Sequence, residues 1–331
     1  MLDIAGTQLT ADDEARIRHP GTSGVILFSS NFEHKDQLID LVRSIRQTKP
    51  DVLIAVDHEG GRIQRFRQGF TELPAMGQFK PVWDGCPARA IALAVETGWL
   101  MAAELLACGI DLSFAPVLDL DYGNSEVIGD RAFARDPHIV SQLAAAFVSG
   151  AKAAGMSCVG KHFPGHGYVA GDSHHVLPED YRSLESMLMD DLVPFEQLAP
   201  MLDGIMPAHV LYSQVCDKPA GFSAQWLQTV LRERFQFDGV VFSDDLTMEG
   251  AVGLGSYTQR TKAALDAGCD MVLVCYNSDG ADEVLESGLT VGAMCPKRYA
   301  RIKADWASIM NGPTLQSTRR WQKALEAVQS V

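Results

Sequence analysis

Residues 52–65 read VLIAVDHEGGRIQR, five apolar residues in a row followed by Asp57, His58 and Glu59, the pair Gly60–Gly61, and then Arg62 and Arg65. An unbroken Val/Ile-rich run suits a strand covered on both faces, as in a parallel sheet, and the glycines mark the turn that ends it. The same grammar recurs along the chain: LDI near residue 2, GVILF at 24–28, LSFAPV at 112–117, MSCVG at 156–160, GIMPAHV at 204–210, GVVFS at 239–243 and DMVLVC at 270–275. Helix-period segments lie between these runs, among them HKDQLIDLVRSIRQ, residues 89–108, HIVSQLAAAFVSGAKAAG, LESMLMDDLVPFEQL, AQWLQTVLRERF, YTQRTKAALDAG and ADEVLESG. Ser223 reads as an N-cap, and Gly155 and Gly268 as residues just past helix ends. Eight strands alternating with helices predict an α/β protein, a single (β/α)8 TIM barrel; a doubly wound open sheet shares the alternation, and the count of eight favours closure.

A length of 331 residues would admit two domains, but it also fits one barrel. No linker, low-complexity tract or fixed repeat divides the chain, so 1–331 is read as one domain, with 296–331 forming peripheral C-terminal helices. The net charge of -14 argues against a partner whose phosphate backbone must be neutralised, which excludes nucleic acid. Seven cysteines without a CxxC pair read as reduced, mostly buried thiols. The amino terminus has neither a basic nor an apolar leader region, which points to the cytoplasm. Glu96 and Glu104, eight apart in the most apolar stretch, share a helix face and mark an amphipathic core helix rather than a membrane span.

Barrels of this kind build their sites at the C-terminal strand ends, and those ends are unusually polar here. Asp57, Glu59, Arg62 and Arg65 follow one strand; Asp119, Asp121 and Arg131 follow another. Lys161 and His162 follow a third, His209 a fourth, and Asp244 and Asp245 a fifth. A lone charge after a strand is usually a turn former or a rim salt bridge. Convergence of five strand ends is what points to a site.

The stretch KHFPGHGYVAGDSHH, 161–175, holds four histidines. Pro164 and Gly165 prevent His162 and His166 from sharing a helix face, and no HExxH is present, so no metal is expected. GHGYVAG lacks the spacing of a phosphate loop. Acid/base work remains: Asp172 lies close enough to His174 to accept from one ring nitrogen and fix its tautomer. His166, His175, His209 and Asp245 receive no role.

Together, VDHEGGRIQRF, APVLDLD, IGDRAF, GKHFPGHG, the DSH that follows, MPAHV and FSDDLTMEGA resemble the β-N-acetylhexosaminidases of glycoside hydrolase family 3, in particular the short bacterial cytoplasmic type. The resemblance implies a barrel enzyme that removes a terminal β-linked N-acetylglucosamine with retention of configuration. Asp244 would be the nucleophile, His174 the general acid/base and Asp172 its orienting partner, while Asp57, Arg65, Arg131, Lys161 and His162 would hold the sugar. It also implies a place in peptidoglycan recycling, with 1,6-anhydromuramoyl fragments as substrates. A cytoplasmic monomer needing no cofactor, membrane or nucleic acid is expected, its only partner a small-molecule substrate. The competing readings are a metal-dependent amino-sugar deacetylase or amidohydrolase barrel and a catalytically silent sugar-binding barrel.

Overall fold

The computed structural model describes residues 1–171, 173, 177–289, 296–304 and 314–331. Seven parallel strands form one sheet, in chain order across it: β1 (Gly24–Leu27), β2 (Leu53–Val56), β3 (Leu112–Ser113), β4 (Ser157–Phe163), β5 (Gly204–Pro207), β6 (Val240–Asp245) and β7 (Met271–Leu273). The expected eighth strand at residue 2 is reduced to a pair of bridges, Leu2 to Val25 and Leu2 to Val274. Those bridges still join the two edges: Leu2 donates to Gly24 O at 3.1 Å, Val274 donates to Met1 O at 3.1 Å, and the terminal ammonium donates to Val272 O at 2.7 Å. A longer strand does not form because the Asn31 amide takes the carbonyls of Ile4 and Gly6, both at 3.0 Å, and the chain bends away over residues 5–8.

Two strands outrun their apolar stretches. β4 continues through Lys161 and His162 to Phe163, and β6 through Asp244 to Asp245. These polar residues therefore lie within strands rather than in the loops after them. The expected strand at 112–117 shortens to two residues, and Ala115–Pro116, Lys161–His162 and Phe163–Pro164 are cis peptides.

The helices cover the sheet. Pro87–Leu106 and Pro137–Ala153 approach so closely that a Cβ on Gly98 would lie 2.1 Å from Phe147 O, and one on Gly150 2.0 Å from Val95 O. Only glycine fits either position. Glu96 and Glu104 do share a face, and both meet the helix Arg319–Val328: Glu96 pairs with Arg320, and Glu104 accepts from Trp321 Nε1 at 2.9 Å. Two helical readings need correction. The segment 184–198 is split into Leu184–Leu188 and Leu192–Leu198, because Pro194 has no N–H to give the Asp190 carbonyl and a continuous helix cannot run through it; the Tyr122 hydroxyl oxygen lies 2.8 and 2.7 Å from the carboxylates of Asp190 and Asp191 at the break. The segment Gln225–Arg234 is a π-helix, ending in a Phe235 N–H to Val230 O bond. Gly155 and Gly268, at φ 97° and 123°, do follow helix ends. Among the described residues no helix is long and apolar enough to cross a membrane.

Candidate active site

At the C-terminal ends of the strands lies a cavity of about 440 Å³ lined by Asp57, Glu59, Arg65, Arg131, Lys161, His162, His166, Asp244 and Asp245, with Ile26, Phe28, Phe114 and Met206 among its apolar walls. Six residues from four strand ends or the loops after them, all anticipated as site residues, thus converge: Asp57, Arg65, Arg131, Lys161, His162 and Asp244. Asp172 and His174 lie outside the described residues, as does His175.

Lys161 is the hub. Its ammonium contacts Asp57 Oδ1 at 2.7 Å and Glu59 Oε1 at 2.6 Å. Arg131 clasps Glu59 with two bonds, Nε to Oε2 at 2.9 Å and a terminal nitrogen to Oε1 at 2.8 Å, and gives a third to Val127 O at 3.0 Å. Arg65 stands 3.6 Å from Asp57 Oδ2, its guanidinium 5.7 Å from the centre of the Phe28 ring. Burial alone would raise the Glu59 pKa; Arg131 and Lys161 outweigh it and hold the carboxyl well below its usual range. Glu59 is thus a permanent anion that fixes two cations, a role the sequence reading, which names it only as a strand-end charge, does not assign. The signal was available: Glu59 is two residues from Asp57, the spacing that returns an extended chain to the same face.

His162 is held from behind. Its Nδ1 lies 2.7 Å from Asp119 Oδ2, and since a carboxylate can only accept, Nδ1 carries the hydrogen and Nε2 is left to other partners. Asp119 is fully buried and also accepts the backbone N–H groups of His162 and His166, the latter at 2.7 Å. Burial pushes its pKa up, but the two imidazoles and these donors lower it overall. Asp119 had been noted only as a strand-end charge. Its role depends on contacts across 43 and 47 residues of chain, which spacing does not reveal.

Asp244 and Asp245 are adjacent but differently used. Asp245 N–H donates to Asp244 Oδ1 at 2.8 Å. The Asp245 carboxylate accepts from Thr247 N–H at 3.0 Å, Thr247 Oγ1 at 2.7 Å and Cys275 N–H at 3.1 Å, which ties β6 to the end of β7. Burial nevertheless pushes its pKa up to about 6. His209 completes this support, with Nε2 3.0 Å from Asp245 O and its ring stacked on Phe222 at 5.3 Å.

The loop leaving β4 is pinned where it is described. Gly165 adopts φ 130°, and its carbonyl accepts from the Tyr212 hydroxyl at 2.9 Å. A side chain on Gly167 would collide with Leu120 O, 1.8 Å from its Cβ position. At the far end of the loop Arg182 lies over the Tyr168 ring at 3.9 Å and pairs with Asp180 at 2.6 Å. His162 and His166 do not act as a ligand pair: one faces Asp119 and the other approaches Ser173, 3.3 Å from Nε2 to Oγ. No group of three potential metal ligands forms among the described residues.

Parallel strands, a cavity at their C-terminal ends, and charged residues from several strands define a TIM-barrel-like enzyme site. The family "Glycosyl hydrolase family 3 N terminal domain" matches residues 1–304, and the chain belongs to that family: it is an enzyme, a glycoside hydrolase. The chain is similar to a beta-hexosaminidase of Methylobacillus flagellatus, 56% identical over 86% of this chain and 82% of the relative, and to one of Bordetella avium, 51% identical over 98% and 95%. In three dimensions it is similar to NagZ from Neisseria gonorrhoeae in complex with N-trifluoroacetyl-D-glucosamine, with a TM-score of 0.92 and 44% identity over 100% of this chain and 96% of that one.

Proposed function

We propose that this protein is a retaining exo-β-N-acetylglucosaminidase that works through a covalent glycosyl-enzyme on Asp244, with His174, oriented by Asp172, as general acid/base. The observation that carries the reading is one cavity joining Asp244 to the Asp57, Lys161, Glu59 and Arg131 network. Its volume of about 440 Å³ suits a single terminal sugar and lies at the low end of ligand pockets, roughly 300–1,000 Å³. Asp57, Arg65, Arg131, Lys161 and His162 grip that sugar through its hydroxyls. Charges that fix one another need little rearrangement when substrate arrives, which favours rigid placement of the anomeric carbon over Asp244.

A nucleophile on a strand end is positioned by the sheet, whereas the proton donor belongs on the loop that follows β4. Cleavage then runs in two steps. Asp244 attacks the anomeric carbon as His174 protonates the departing oxygen; water, deprotonated by the same imidazole, then releases the sugar. A second mechanism would use the substrate's acetamido group as nucleophile, with adjacent carboxylates to orient it. The bonds of Asp245 to Thr247 and Cys275 support the covalent route, because they commit that carboxylate to the strand end.

The same reading takes the seven strands and the Leu2 bridges as one barrel and the whole chain as one domain. It gives the enzyme a small-molecule partner, 1,6-anhydromuramoyl fragments of peptidoglycan, and a place as a cytoplasmic monomer in cell-wall recycling, apart from membrane and nucleic acid. Incubation with a 5-fluoro N-acetylglucosaminyl fluoride or a 2-deoxy-2-fluoro-glucosyl fluoride, followed by peptide mass analysis, should place the adduct on the peptide containing Asp244. An adduct elsewhere, or release of acetate rather than sugar from N-acetyl-β-glucosaminides, overturns the assignment.

A further inference from the structure

Between the proposed orienting carboxylate Asp172 and the proposed acid/base His174 sits Ser173, and it is tied on both sides. It is only 2% exposed. Its carbonyl accepts from Gly250 N–H at 3.0 Å, and its hydroxyl lies 3.3 Å from His166 Nε2. Gly250 belongs to the short helix Glu249–Val252, which directly follows β6 and its Asp244. His166 is itself fixed by its N–H to Asp119, the carboxylate that also holds His162.

We propose that Ser173 is a positioning residue, a latch that registers the segment bearing the acid/base against both the sugar-binding end of β4 and the nucleophile's strand β6. The inference rests on the assignment of His174 as acid/base. The carbonyl contact is the shorter tie. The longer hydroxyl contact gives the latch its side-chain specificity, since either hydrogen-bonding direction is open to a serine facing a neutral imidazole. Burial pulls the His166 pKa down to about 4, so the ring stays neutral near pH 7. Gly250 is needed at this contact: a Cβ there would lie 2.8 Å from His209 Cβ and 3.5 Å from Ser173 O.

A misplaced proton donor slows bond cleavage only when the leaving group needs protonation. The test is therefore kcat/KM, which reports the first chemical step, for aryl N-acetyl-β-glucosaminides carrying 2,4-dinitrophenyl, 4-nitrophenyl and phenyl leaving groups. Ser173→Ala should lose about tenfold on the phenyl substrate and less than about twofold on the dinitrophenyl one, a fraction of the roughly 10²–10⁴ that a general acid supplies. His166→Leu should show the same skew, and the double variant should lose no more than the worse single one, with thermal denaturation recording that each is folded. If Ser173→Ala does not fold, the His166→Leu series decides alone.

His174→Ala separates the latch from the reading beneath it. A steep leaving-group dependence in His174→Ala with even losses, or none, in Ser173→Ala and His166→Leu overturns the latch alone. An even loss in His174→Ala overturns the acid/base assignment and the latch with it.

Discussion

The two ends of the parallel sheet use the same residue types for opposite purposes. At the N-terminal end one arrangement occurs three times. Asp111, just before β3, pairs with Arg46 and accepts Ile54 N–H at 2.7 Å; Asp203, just before β5, pairs with Lys152 at 3.0 Å and accepts Cys158 N–H at 3.1 Å; Asp270, just before β7, pairs with Arg232 at 2.7 Å and accepts Val241 N–H at 2.8 Å. Each carboxylate joins the N–H at the start of the preceding strand to a basic side chain from a covering helix. At the C-terminal end Asp57 and Glu59 are instead held by Lys161, Arg65 and Arg131 around a cavity. A carboxylate bonded to backbone closes a sheet end, whereas carboxylates bonded to cations that border a cavity form a surface on which a polyhydroxylated ligand can exchange partners.

That contrast breaks if the wrong end proves catalytic. The largest effect should come from Asp244→Asn: kcat/KM on 4-nitrophenyl N-acetyl-β-glucosaminide should fall by at least about a thousandfold with an unchanged fold. Activity retained in that variant would remove the nucleophile from β6. Next comes Glu59→Gln, which leaves Lys161 and Arg131 facing a neutral amide in a buried setting. It should cost about 3–5 kcal/mol in urea denaturation and weaken substrate binding as well. A loss confined to stability would make Glu59 resemble the N-terminal aspartates.

Asp203→Asn should do the reverse, costing about 1–3 kcal/mol of stability while kcat/KM stays within about twofold. The pH dependence of stability sharpens the contrast further. Asp245, raised to about 6 in the fold, binds its proton more tightly there than in the unfolded chain, so its contribution is most favourable below the unfolded value and declines as pH rises through 6. Asp245→Asn should abolish a decline on the order of 2 kcal/mol between about pH 4 and 7. An identical pH profile in the variant would refute the assignment. The smallest effect belongs to the exposed pair Lys262–Asp266: Lys262→Ala should change stability by less than about 0.5 kcal/mol and leave activity alone.

Most of the strand runs were legible because a parallel strand covered on both faces must be apolar along its length, and VLIAV, GVILF and GVVFS are. Their ends were less legible. Lys161, His162, Asp244 and Asp245 looked like loop residues by polarity, but a strand that reaches a cavity can carry polar side chains to its last residue. The eighth run failed as a strand because the Asn31 amide, 27 residues from Ile4, competes for its carbonyls. Asp57, Arg65, Arg131, Lys161, His162 and Asp244 were recoverable as candidates because each stands at a strand end or in the polar loop that follows one. Glu59 and Asp119 stood out in the same way as strand-end charges, but their roles were not legible, because a residue that acts by holding another is recognised by its partner.

The sequence by itself determined the alternation of strands and helices, the end of the sheet where chemistry gathers, and the family, since hydrophobic runs and short motifs are local properties of the chain. Only the tertiary structure decided how the charges are shared. Lys161 lies 104 residues from Asp57, and Arg131 lies 72 from Glu59. Which carboxylate faces a cavity and which closes a strand depends on distances of about 3 Å between such remote residues, because charge-assisted hydrogen bonds form only at that range.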